Sequence, residues 1–131
     1  MPFRLEIDTL TQPHAPRVLL VDDNAIASEL LADFLSLSGI DVRRAATGAD
    51  ALEQSAAFLP DAVIVDILLP DTDGYALAGR LRAQHASQPP RLIALSGLPR
   101  DPQRPDADIF DSWVEKPADP DKLVDLVSPA A

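Results

Sequence analysis

Five side chains suited to metal or phosphoryl chemistry stand at the ends of short apolar runs. Asp22 and Asp23 follow Arg17-Val18-Leu19-Leu20-Val21, and Asp66 closes Ala62-Val63-Ile64-Val65. Ser96 follows Leu92-Ile93-Ala94-Leu95, and Lys116 follows Ser112-Trp113-Val114-Glu115. If these runs are strands of one sheet, three carboxylates, a hydroxyl and an ammonium converge in one crevice. Acids held together repel one another and want a hard divalent cation. Mg²⁺ suits them, because it takes one or two carboxylates directly and keeps several waters; Mn²⁺ is a second candidate. Such a site can accept a phosphoryl group on one carboxylate. The cation and the ammonium neutralise phosphoryl oxygens, while the hydroxyl and backbone N–H groups bond to the rest. The protein then supplies positioning and charge, with no general base.

The elements that must position these groups follow from the hydrophobic pattern. The four apolar runs read as buried strands, and Asp41–Ala45 as a more polar strand at a sheet edge, since Arg43 and Arg44 fall on both faces. Between them lie helical patterns. Asn24 caps the first, in which Ile26, Leu30, Leu31, Phe34, Leu35 and Leu37 recur before Gly39. Thr47-Gly48 opens the second, with Ala51, Leu52, Ala56 and Leu59 on its inward face before Pro60. A third after Gly74 turns Tyr75, Ala78 and Leu81 inward, and a last one over Asp119–Val127 presents Leu123, Leu126 and Val127. Alternating strands and helices, with inner strands apolar on both faces, predict a parallel sheet covered on both sides. The expected fold is α/β, a flavodoxin-like doubly wound (βα)5 with strand order 2-1-3-4-5. In such sheets ligands bind beyond the carboxyl ends of the strands, where the five side chains stand.

Composition narrows the function. With 131 residues the chain is expected to form one core. Its net charge of −10 disfavours direct contact with nucleic acid or an anionic membrane, and the longest basic run is Arg43-Arg44. No cysteine is present, which removes disulfides, zinc–thiolate sites and thiol nucleophiles, and His14 and His85 are isolated. No apolar run approaches the ~20 residues of a membrane span, and a cytoplasmic location is expected, although a parent protein could be membrane-anchored. Neither glycine signature of a P-loop or dinucleotide fold occurs.

Four segments together carry a resemblance: Val18 to Asn24, Asp66-Ile67-Leu68-Leu69-Pro70-Asp71-Thr72-Asp73-Gly74, Ala94-Leu95-Ser96-Gly97, and Trp113-Val114-Glu115-Lys116-Pro117. In this order, each after a predicted strand, they resemble the receiver domain of two-component response regulators. The resemblance implies that Asp66 is the phosphoacceptor, taking its group from a histidine of a kinase or a phosphotransfer domain. It implies that Asp23 binds Mg²⁺ directly, Asp22 through water, and the backbone carbonyl of Leu68 as a further ligand. Ser96 would bond the phosphoryl group in the switched state, Lys116 would pair with it, and Trp113 aligns with an aromatic that moves on switching. The Lys116–Pro117 bond is a candidate for the cis form. A receiver catalyses its own phosphorylation and slow dephosphorylation without being a conventional turnover enzyme. The alternative is a degenerate receiver acting as a phosphorylation-independent interaction module. A haloacid dehalogenase-type hydrolase wants a second aspartate two residues after the first, where this chain has Leu68.

Four departures from the family pattern stand out. Leu68 is apolar where many members are polar, which predicts slow hydrolysis of the phosphoryl group. Gly97 replaces a commoner alanine. Pro99, Pro102 and Pro105 argue against a regular fourth helix, since an interior proline costs about 3 kcal/mol; at best a short helix remains around Asp106–Asp111. From Asp101 to Asp125 eight acids face three bases, half of the net charge, so a partner on that side should be basic. Residues 1–16 precede the receiver at 17–131: Phe3–Ile7 alternates like a strand and Thr11–Pro16 reads as a linker, resembling the end of a kinase ATP-binding domain. A receiver from a hybrid histidine kinase, or one with a native extension, fits this pattern.

Overall fold

A computed structural model describes residues 15–128. Its central sheet has five parallel strands, β1 (Arg17–Val21), β2 (Asp41–Ala45), β3 (Ala62–Asp66), β4 (Arg91–Ser96) and β5 (Ser112–Glu115), in the order β2-β1-β3-β4-β5. The helices are α1 (Ala25–Leu37), α2 (Gly48–Phe58), α3 (Gly74–Gln84) and α4 (Pro120–Val127). This is the expected doubly wound fold, with the polar strand β2 at an edge. Register is fixed by direct pairings such as Leu20 with Ile64 and Val65 with Ala94.

The strands are apolar on both faces because each face meets a different helical layer. Leu19, Val21, Val63, Val65, Leu92 and Ala94 pack with Ala51 of α2 and Leu77, Ala78 and Leu81 of α3. Their chain neighbours Val18, Leu20, Ile64, Ile93 and Leu95 pack on the opposite side with Leu35 of α1 and Leu123 and Val127 of α4. A one-residue slip of any inner strand would exchange these sets. Each fully buried aliphatic side chain contributes about 1.5–3 kcal/mol of transfer free energy, so this two-sided core holds the strand ends in a fixed array.

Two helix faces differ from the sequence expectation. In α1, Leu35 is buried and Leu31 and Ala32 are half-buried, whereas Ile26, Leu30 and Leu37 are 76%, 67% and 89% exposed. At about 100° per residue, Ile26, Leu30 and Leu37 form one stripe and Leu31 and Leu35 another, roughly opposite. The helix thus has two apolar stripes, and only one meets the sheet. In α2 the inward residues are Ala51, Ser55 and Phe58; Ala56 and Leu59 are exposed. Leu59 has left the helix altogether, as its cap in a left-handed conformation with φ 54°.

The proline-rich segment between β4 and β5 has no α-helix. One 3-10 turn, Ala107–Ile109, is its only regular piece. Side chains fasten it instead. The Arg104 guanidinium lies 3.8 Å from the centroid of the Tyr75 ring and pairs with Asp106 at 2.7 Å. Arg100 Nη2 donates to the Phe110 carbonyl, and Arg82 Nη2 to that of Ile109. Tyr75, Phe110 and Trp113 form a triangle with centroids 5.5–5.9 Å apart, within the range at which aromatic pairs attract.

Candidate functional site

The parallel sheet brings the four strand ends to one edge. Asp22 follows β1 directly, Asp66 and Ser96 are the last residues of β3 and β4, and Lys116 follows β5. Asp22, Asp66 and Ser96 are buried and Asp23 is exposed. One carboxylate oxygen each from Asp22, Asp23 and Asp66 lies within 4.8 Å of the others. Lys116 Nζ donates to Asp66 Oδ2 at 2.9 Å.

Local backbone geometry fixes each acid. Asn24 N–H donates to Asp22 Oδ1 at 2.9 Å, while Asn24 Oδ1 caps α1 by accepting from Ala27 N–H. The sequence Asp22-Asp23-Asn24 therefore does both things expected of it: it caps a helix and delivers two acids to the crevice. Leu68 N–H donates to Asp66 Oδ1, and Leu68 pairs with Asp73 in a single antiparallel bridge. That turn needs a glycine at 74, because a Cβ there would lie 2.8 Å from Ile67 Cα and 2.9 Å from the Asp66 carbonyl oxygen. The Leu68 side chain is 74% exposed.

The charges are strongly linked. Burial pushes the Asp22 carboxyl above the ordinary carboxylate value; Asn24 N–H and Lys116 oppose the rise, and Asp66 adds to it. Burial works to lower the Lys116 ammonium, but its hydrogen bond to Asp66 and the charges of Asp66, Asp22 and Asp23 outweigh that and hold it above the ordinary lysine value. A cluster of three carboxylates that keeps one ammonium close is suited to a further cation. Hard oxygen donors at this spacing fit Mg²⁺.

Ser96, the last residue of β4, and Trp113 of β5 are joined through Leu98. Ser96 Oγ accepts from Leu98 N–H, and Trp113 Nε1 donates to the Leu98 carbonyl, both at 3.0 Å. Trp113 is half-buried, and the Lys116–Pro117 peptide bond is cis. A groove of about 500 Å³ opens beside the cluster, lined by Ala27, Leu30, Leu31 and Phe34 of α1 and by Pro117, Ala118 and Pro120, with Asp22 and Lys116 also in its wall.

Two contributors lie outside the sequence expectation. Asp71 binds the first turn of α2, and Arg104 stacks on Tyr75. Asp71 lies 23 residues from its partner Gly48. No local pattern marks such a contact, although its place between Pro70 and Gly74 shows a turn.

A doubly wound parallel sheet with three acids and a lysine at its carboxyl edge defines a flavodoxin-like domain whose acidic crevice suits a divalent cation. Residues 18–128 match the response regulator receiver domain, and the chain belongs to that family. Among solved structures it is similar to a CheY-like receiver domain from Methylobacillus flagellatus, with TM-score 0.78 and 32% identity over 86% of this chain and 95% of that one. It is also similar to a response regulator from Burkholderia pseudomallei, described with a phosphorylated aspartic acid, a calcium ion and citrate, with TM-score 0.76 and 25% identity over 86% of this chain and 66% of that one. Among curated proteins it is 34% identical to the sensor histidine kinase RcsC of Salmonella typhi over 81% of this chain and 11% of the kinase. The chain spans 34%, 23% and 32% of the length of three other long relatives. Receiver domains work with histidine kinases or phosphotransfer proteins. Among the described residues, no helix is long and apolar enough to cross a membrane.

Proposed function

We propose that this receiver takes a phosphoryl group from a phosphohistidine onto Asp66, with Mg²⁺ held by Asp22, Asp23, Asp66 and the Leu68 carbonyl. The observation that carries this reading is the joint placement of three carboxylates within 4.8 Å and a lysine 2.9 Å from one of them. The described phosphorylated aspartate of the similar Burkholderia protein supports it. In the transfer, the P–N bond of the donor breaks and a P–O bond to an Asp66 carboxylate oxygen forms. The imidazole leaves with the electron pair of the broken bond and takes up a proton. Bound Mg²⁺ would supply positive charge to the phosphoryl oxygens. Lys116 moves its ion pair from the free carboxylate to the phosphoryl oxygens. Ser96 exchanges the Leu98 N–H for the phosphoryl group, and through Leu98 the change reaches Trp113.

The test is incubation with acetyl phosphate or phosphoramidate, with and without Mg²⁺, read by intact mass. One added phosphoryl group that depends on Mg²⁺ is expected; a chain that takes up none acts as a phosphorylation-independent module. Loss of the group should be slow, because Leu68 brings no polar group to orient water. Leu68→Asn is expected to shorten the phosphorylated lifetime several-fold, roughly the loss expected on admitting an ordered water. Shortening by Leu68→Ala alone would contradict this.

The donor is a helical, phosphohistidine-bearing domain that docks along α1. Its histidine must reach Asp66, so it must cover the rim of the crevice, and that rim carries the second apolar stripe of α1, Ile26 and Leu30, beside the groove. Leu30→Asp is expected to slow transfer from a cognate phosphodonor domain by about ten-fold or more, as for loss of an apolar interface anchor, and to leave labelling by acetyl phosphate unchanged. Equal slowing of both reactions would remove α1 as the docking face.

Similarity to a segment of a sensor histidine kinase supports a parent protein of that kind, with residues 1–16 as the joint and 17–131 as the receiver. Of that joint, residues 1–14 lie outside the described residues. The working location is cytoplasmic, where a kinase donor would be met.

A further inference from the structure

The turn that follows Asp66 is held at both of its ends. At its base, Gly74 N–H donates to the Ile67 carbonyl at 2.7 Å, and Asp73 Oδ1 caps α3 through Ala76 N–H at 2.8 Å. At its tip, the Asp71 carboxylate reaches across to α2. Oδ1 accepts from Gly48 N–H at 2.8 Å and Oδ2 from Ala49 N–H at 3.0 Å. These are unpaired backbone donors at a helix start, where a carboxylate is also favoured by the helix dipole. Thr72 closes the same contact: a Cβ on Gly48 would meet Thr72 Cγ2 at 2.5 Å. Thr47 caps the same helix through Asp50 N–H, a bond within the first turn of α2. Asp71 therefore does more than cap α2, which already has a cap. It ties the tip of the turn bearing Leu68 to the helix that packs beside α3 on the same face of the sheet.

We infer that Asp71 is a positioning residue for the cation: its two-point clamp on α2 holds the Ile67–Asp73 turn, which carries Leu68, the proposed carbonyl ligand, against Asp66. This rests on the metal site proposed above. The Gly48 and Ala49 N–H groups hold the Asp71 carboxyl below its ordinary value of 3.8, so the clamp is fully formed above that pH and is lost as pH falls through the lower folded value. Asp71 is exposed and touches no acid of the cluster, so its removal leaves the three carboxylates in place.

The experiment is calorimetric titration of Mg²⁺ into the full chain, with urea unfolding in parallel. Asp71→Ala is expected to weaken Mg²⁺ binding about ten-fold, the loss usual for removing an outer-shell support of a metal ligand. Asp71→Asn, which keeps one acceptor oxygen, should fall between it and the parent. Thr47→Ala removes the other cap of α2; it should lower the urea midpoint comparably and leave Mg²⁺ affinity within about two-fold, because cap loss alone acts on helix stability. If Thr47→Ala and Asp71→Ala weaken Mg²⁺ equally, or if neither does, Asp71 is only a cap and the inference is overturned. If the parent chain itself binds no Mg²⁺, the metal site fails and this inference fails with it, a result distinguishable by the parent titration alone.

Discussion

Asp66→Asn is expected to abolish phosphoryl uptake completely, with no adduct by intact mass after prolonged incubation with acetyl phosphate and Mg²⁺. The amide cannot form the acyl phosphate, and the neighbouring acids do not substitute for it. Asp22 is buried and its Oδ1 is committed to Asn24 N–H, while Asp23 is exposed and the Lys116 hydrogen bond goes to Asp66. The variant should fold, since Asn keeps the acceptor oxygen for Leu68 N–H. A matched urea midpoint together with absent adduct is the expected pair of results. An adduct that persists in Asp66→Asn would assign the acceptor elsewhere, and the first place to look would be Asp23, the exposed acid.

Lys116→Met is expected to act in opposite directions on metal and phosphoryl group. In the metal-free protein the ammonium is the cation of the acid cluster, bound to Asp66 at 2.9 Å with Asp22 and Asp23 adding to its charge field. Removing it leaves a buried carboxylate without its partner. Lys116 is itself 38% exposed, so water screens the pair, and the loss should be about 1 kcal/mol, at the upper end for solvent-exposed pairs. Mg²⁺ then meets three acids with no competing cation and should bind about ten-fold tighter, the scale of removing one charge at this range in a partly solvated site. Adding Mg²⁺ should recover the lost stability. Phosphorylated Lys116→Met should lose the switch: the fluorescence of Trp113, the single tryptophan of the chain, should change less on phosphorylation than in the parent. Methionine keeps the length of the stem, so packing beside Pro117 is largely retained. Calorimetry showing unchanged or weaker Mg²⁺ binding would mean that Lys116 does not compete for the cluster.

The Pro-rich strap between β4 and β5 stands where the alternating plan of the fold would place a helix. Three prolines in seven residues prevent a helix, and arginine side chains take over its packing role: Arg104 covers Tyr75, Arg100 holds the Phe110 carbonyl, and Arg82 reaches Ile109. The aromatic triangle beneath them is connected to Ser96 through Leu98 and through the β4–β5 pairing. The end of the strap is tied to β4 by Asp111, whose N–H donates to the Leu92 carbonyl and whose Oδ2 accepts from Leu92 N–H.

Much of the site was legible from the sequence because strand ends are marked twice, by an apolar run and by the polar residue that stops it. Asp22, Asp66, Ser96 and Lys116 each follow such a run, and parallel topology leaves one edge at which they can meet. The chemistry of the residues, acids with a lysine and no cysteine, then limits the reaction. The orientation of helix faces was less legible. The α1 sequence holds two apolar stripes, and no periodicity states which of them faces the sheet; burial of Leu35 and exposure of Ile26 and Leu30 are decided by how the helix lies on β1 and β2. In α2, Ser55 goes inward and Ala56 outward for the same reason. The two-point contact of Asp71 with α2 is likewise a property of packing, because it joins residues far apart in the chain that local propensity cannot connect. The sequence by itself therefore determined where the strands lie along the chain, their polar ends and the chemistry gathered there, since these depend on local alternation and residue type. Only the tertiary structure decided which apolar stripe remains free beside the crevice, and which distant acid ties the turn after Asp66 to α2, since both depend on how neighbouring elements pack.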